Sequence, residues 1–163
     1  MKKTFITGLL IILFFILDNA LMPFLAIKHY YPNTLFIFII CYSIVNGKWQ
    51  GLWVGAFSGM LQDIFFYNAF GINSLLNMIV CVIAGAIGVN IFKDKRFIPM
   101  ISTLGLSVLK GLGLFVILFI LGQQTNYKNI FFNAIYEMLI CIFMYKPIYK
   151  LYHKKSMKKD WKF

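Results

Sequence analysis

Charge is scarce in this chain of 163 residues: 13% of it is Asp, Glu, Lys or Arg, about half of what soluble domains carry. A soluble domain of this size has too little here to cover its surface. Acids are scarcest, five against 16 Lys and Arg, for a formal net charge of +11. Histidine is limited to His29 and His153, which fall on opposite sides of a membrane in the organisation derived below, so no Ser/His/Asp or Cys/His centre can be assembled. A phosphate-binding loop ending in Gly-Lys-Ser/Thr and a His-Glu-x-x-His motif are also missing. The three cysteines, Cys41, Cys81 and Cys141, are far apart and share no metal-type spacing, so they read as small apolar packing residues. These absences argue against an enzyme, a metal site and a bound cofactor.

What the chain has is apolar length. Hydrophobic residues make up 61% of it, and six stretches of about 20 residues would use nearly all of it in crossing a membrane. The expected fold is therefore all-α, a single polytopic bundle of about six transmembrane helices over residues 1–152, followed by a basic tail over 153–163. Breaks in the apolar runs place the spans at about 4–27, 33–45, 49–66, 71–92, 97–121 and 129–152. Met1-Lys2-Lys3 before an apolar run resembles a signal peptide, but that run is long, contains Asp18 and has no Ala-x-Ala site, so it is expected to stay as the first span. The second is short: 13 residues cover about 20 Å of a ~30 Å core, so it must be extended at its start or sit partly within protein.

The cations orient this bundle. With both ends cytoplasmic, thirteen Lys and Arg lie inside, and only Lys28 and Lys128 lie outside. That asymmetry is the positive-inside pattern, and it accounts for the basic charge without nucleic acid. The lysines of the tail suit anionic lipid, at about 1 kcal/mol each near the surface, or a cytoplasmic protein.

Four ionisable residues lie inside the spans: Asp18, Asp63, Lys110 and Glu137. Each costs about 2.5–3.5 kcal/mol if left at a helix centre. At ~1.5 Å per residue they fall, with Asn77, about 18–21 Å from the inner face, in one layer of the outer half. Three arrangements suit such a layer. One is a closed polar knot in which Lys110 pairs with an acid while Asn19, Gln62 and Asn77 satisfy the rest. The others are a seat for a partner's helix and a cavity that takes a small ligand. Asp63, with Lys110 as its counter-charge, is the expected anchor.

Gly51, Gly55 and Gly59 recur every four residues on the third helix, with Ser58 beside them and Asp63 one step further. Small residues at that spacing let another helix approach closely, whether it belongs to this chain, to another copy or to another protein. Gly85 and Gly88 suit the fourth helix in the same way.

The stretch from Asp18 to Gly88 resembles the bacterial rod shape-determining protein MreD family. The resemblance rests on Pro23, on Pro32-Asn33-Thr34-Leu35, and on Gly51-Leu-Trp-Val-Gly55-Ala-Phe-Ser-Gly59-Met-Leu-Gln-Asp63 followed by Gly71. Asn33 stands where the family often has Asp, and Gly59-Met60-Leu61 replaces Gly-Leu-Leu. The resemblance implies a non-enzymatic plasma-membrane scaffold of the cell-elongation machinery. Its partners would be the bitopic protein MreC, the MreB filament and lateral-wall peptidoglycan synthases. Gly51, Gly55, Gly59 and Gly71 would serve helix packing or docking. The resemblance also implies a fold similar to the substrate-binding subunits of energy-coupling-factor vitamin transporters, which supplies the alternative function. The Ala-x-x-x-Ala pattern common in the first helix of those subunits is missing from Phe5 to Ile27.

Overall fold

The computed structural model describes residues 2–21, 24, 32–65, 71–90, 97–122 and 128–153. Pro23, Lys28 and His29, the connection at 67–70, the Lys93-Asp94-Lys95-Arg96 loop and the tail from 154 lie outside the described residues. Six helices and no strands are found among those described: α1 (Lys2–Ala20), α2 (Thr34–Asn46), α3 (Lys48–Phe65), α4 (Ile72–Asn90), α5 (Phe97–Ile120) and α6 (Lys128–His153). The all-helical bundle is thus the one expected. Helix α1 ends at Ala20, and most of the rest of the expected first span, 22–23 and 25–27, lies outside the described residues.

The bundle is built around α2. Every residue from Thr34 to Val45 is buried, and α2 packs against all five other helices. A helix that is apolar on all sides has no face for water and is stable only inside other apolar material. Its 13 residues give a rod of about 20 Å, too short to cross a ~30 Å hydrocarbon core alone, and the surrounding helices supply that environment instead. Phe38 stacks on Phe14 of α1 with ring centroids 5.0 Å apart, and Tyr42 meets Tyr152 of α6 edge-on at 4.9 Å.

The outside of the bundle is as apolar as its centre. Phe5, Leu9 and Ile16 of α1, Trp49, Trp53 and Phe57 of α3, and Phe119 and Phe143 on the later helices are all exposed, while Asp63, Asn77, Lys110 and Glu137 are buried. That distribution suits lipid as the solvent, because burying polar groups among helices keeps them out of hydrocarbon. Four helices, α1, α4, α5 and α6, are long and apolar enough to cross a membrane. Helix α3 carries Lys48, Gln50, Gln62 and Asp63. It turns its small and polar face inward, burying Gly51, Gly55, Ser58, Gly59, Gln62 and Asp63. The chain is a membrane protein.

Candidate functional site

The glycine series of α3 lies against its own bundle. A Cβ on Gly51 would come within 2.8 Å of the Cys81 carbonyl oxygen, and one on Gly55 within 2.6 Å of the Asn77 carbonyl oxygen, both on α4. A Cβ on Gly59 would collide with the backbone of Ser74, and one on Gly88 with the Ile44 carbonyl of α2. Three missing side chains on α3 and two on α4, Gly88 and Gly85 (the latter against the Gly47–Lys48 backbone), thus let three helices approach backbone to backbone. Gly71 belongs to another class. Nothing lies within 4 Å of a Cβ built there, and its φ of +99° is a backbone conformation that L side chains rarely adopt. Its place in the fold is a turn rather than a packing face.

That turn leads to Asp63. The Gly71 amide donates to Asp63 Oδ2 at 3.0 Å, the Asn73 amide to Oδ1 at 3.0 Å and the Ser74 amide to Oδ2 at 2.9 Å. The Asn73 side-chain amide adds a fourth bond to Oδ1 at 3.0 Å. The first amides of a helix have no partner within it, and in lipid no water replaces that partner. A carboxylate held there by the preceding helix satisfies three of them and sits at the positive end of the α4 dipole. Asp63 is therefore the cap of α4.

Asp18 performs the same task for α2. Its Oδ2 accepts from the Leu35 amide at 2.8 Å, and its Oδ1 from the Thr34 amide at 2.8 Å and from the Thr34 hydroxyl. Asn33 completes the cap, its Oδ1 accepting from the Phe36 amide at 2.8 Å. Glu137 of α6 approaches the same helix start through the Asn33 backbone and accepts the Ser107 hydroxyl of α5. All three of these carboxylates thus accept hydrogen bonds at helix starts or from an adjoining helix.

Lys110 lies elsewhere than opposite Asp63. Its Nζ reaches Gln62 Oε1 at 3.5 Å and stands 4.4 Å from the centroid of the Phe36 ring. The charges of Glu137, Asp18 and Asp63 all act on it. Asp63 meanwhile accepts from three amides at the α4 start. Gln62 links the groups of the layer: its Nε2 donates to Asn33 Oδ1 at 3.3 Å, and its Oε1 accepts from Asn77 Nδ2 at 3.0 Å. The structure thus gathers Asp18, Asn77, Lys110 and Glu137 around the start of α2, while Asp63 sits one residue from Gln62 at the start of α4.

Several polar residues join this layer without having stood out as sites: Asn33, Thr34, Asn73, Ser74 and Ser107. The first four carry a readable signal, since Asn-Thr and Asn-Ser immediately before or within a first helical turn are capping chemistry. Ser107 carries none. A second polar cluster closes the opposite end of the bundle. Lys3 Nζ donates to Asn46 Oδ1 at 2.6 Å and to Gln50 Oε1 at 2.8 Å, and Thr7 pairs with Tyr152 at 2.9 Å. It brings the start of α1 beside the α2–α3 turn and the end of α6. Cys41 and Cys141 touch with sulfurs 3.6 Å apart, so two of the three cysteines pack together in the core.

The family model described as rod shape-determining protein MreD matches residues 1–155. No curated protein and no solved structure matches the chain.

Proposed function

The chain belongs to the MreD family of rod shape-determining proteins, and from that membership we propose that it is a non-enzymatic scaffold of the cell-elongation machinery. In this reading it sits in the bacterial plasma membrane and links an MreC-like bitopic protein, the MreB filament and the synthases of the lateral wall. The observation that carries the reading is how the acids within the helices are employed. Asp18 and Asp63 accept from the first amides of α2 and α4, which is a use in holding helices together rather than in chemistry on a substrate. Exposed apolar side chains along α1, α3 and α6 leave wide faces for lipid and for the helices of other proteins.

We further propose that both termini are cytoplasmic. The Lys3 cluster supports that orientation, because it puts the start of the chain at the same end as the α2–α3 turn with Lys48, and cations favour the inside. The test is depletion of the chain from the rod-shaped cells that carry it. The expected outcome is loss of the rod form, restored by the wild-type chain. Rods that keep their width and length through depletion would overturn the proposal.

A further inference from the structure

The hydrogen bonds of the polar layer fix its side-chain amides in one orientation and leave two valences open. Asn33 Oδ1 accepts from the Phe36 amide at 2.8 Å, so Gln62 must face it with Nε2, as it does at 3.3 Å. Gln62 Oε1 is then the atom turned to α4, and Asn77 must present Nδ2 to it, at 3.0 Å. Reversing Asn77 would set two oxygens against each other. Asn77 Oδ1 is consequently left with no partner among the described residues, although Asn77 is 0% exposed. A buried acceptor in that state costs about 1–3 kcal/mol. Lys110, also buried, meets the same Gln62 Oε1 at only 3.5 Å, longer than a good N–H···O bond. Its other contact there is the Phe36 ring. Asn77, through Nδ2, and Lys110 thus both meet one oxygen, Gln62 Oε1, while Asn77 Oδ1 beside that contact has no donor among the described residues.

The charges around this point restrict what can fill both needs. A cation would meet the Lys110 ammonium. An anion would meet Glu137, Asp18 and Asp63, all of which act on Lys110 from the same layer. A neutral group that both accepts and donates meets neither obstacle. We infer that the polar layer binds a hydroxyl, either a water molecule or the alcohol of an organic molecule, which accepts from Lys110 Nζ and donates to Asn77 Oδ1. Buried waters typically make about three such bonds to groups otherwise unsatisfied. The site is a feature of this layer, independent of which proteins the scaffold joins.

The test uses the full chain in phosphatidylcholine vesicles, with nitrogen-15 in its Asn and Lys side chains and magic-angle NMR. Lys110→Met and Asn77→Ser assign the two signals by their loss. Transfer from water protons to both Lys110 Nζ and the Asn77 amide is the expected result and identifies solvent as the source. With the vesicles made of perdeuterated phosphatidylcholine, transfer from carbon-bound, non-exchanging protons that belong to no residue of the chain identifies an alcohol and supports the site equally. A layer with neither, or a direct Lys110–Asn77 contact without an intermediary, overturns the inference. Should either variant fail to accumulate, a density map of the wild-type chain in lipid nanodiscs decides the same point. It must show a bound oxygen within ~3.2 Å of both atoms.

Discussion

Asp63→Ala is expected to remove most of the folded protein from the membrane. Alanine withdraws the acceptor of three backbone amides, those of Gly71, Asn73 and Ser74, together with the Asn73 side chain. Each buried donor left without a partner costs about 1–3 kcal/mol, so the three amides together cost roughly 3–9 kcal/mol, against a total stability of about 5–15 kcal/mol for a typical domain. The upper part of that range is softened where water follows the opened helix start. Asp63→Asn keeps one acceptor oxygen but turns an NH2 group toward the donors, so it falls between wild type and alanine. Asp18→Ala is expected to be milder than Asp63→Ala. It frees two backbone amides, Thr34 and Leu35, while Asn33 continues to hold Phe36. Protein level in the membrane and the melting temperature in mild detergent check the order: Asp63→Ala lowest, then Asp18→Ala, then wild type. An Asp63→Ala protein with the level and melting temperature of wild type would mean that α4 starts without its cap.

Gly59→Ala is the second large effect, and it needs only one methyl group. The new Cβ would overlap the Ser74 backbone and approach the Asn73 carbonyl oxygen to 2.6 Å. Backbone atoms cannot rotate out of the way, so α3 and α4 must separate at the level where Asp63 holds the α4 start. Overpacking of this kind costs typically 1–3 kcal/mol, and here the lost cap geometry adds to it. Gly113→Ala meets only the flexible end of Leu76 and is expected to cost less. Gly105→Ala meets nothing within 4 Å, and alanine gains up to ~1 kcal/mol of helix propensity over glycine, so it should be neutral or stabilising. Melting temperatures of the three variants test the series. A loss at Gly105 equal to that at Gly59 would show that helix propensity or insertion, rather than close approach, governs these positions.

Much of this arrangement was legible before any coordinates. Apolar runs broken at Lys28-His29-Tyr30, Asn46-Gly47-Lys48, 67–70, the charged loop at 93–96 and the polar loop at 122–128 are enough to count six helices, and a spacing of four places Gly51, Gly55 and Gly59 on one face. Residue counts along the spans put Asp18, Asp63, Asn77, Lys110 and Glu137 in one expected layer. Their partners were not legible in the same way. A carboxylate near the end of one helix that caps the next is a tertiary arrangement, and in sequence Asp63 looks the same whether it faces Lys110 or the amide of Ser74. Helix α2 is ambiguous for a related reason: thirteen mostly apolar residues read alike as a short span and as a rod enclosed by protein. The end of α1 carried a signal that apolarity masked. Pro23 follows three residues after Ala20, and the residue before a proline is biased away from helical backbone. Gly71 shared its residue type with the packing glycines, and only its positive φ assigns it to a turn.

In the proposed function the chain is a membrane scaffold whose polar groups fasten its own helices and whose apolar faces meet lipid and other proteins. The measurement that tests it most directly is purification of a tagged copy from its native membrane in mild detergent, with the companions identified by mass spectrometry. The account predicts an MreC-like bitopic protein together with synthases of the lateral wall. Recovery of a transporter's coupling subunit with two ATPases, and of no wall-building protein, would contradict it.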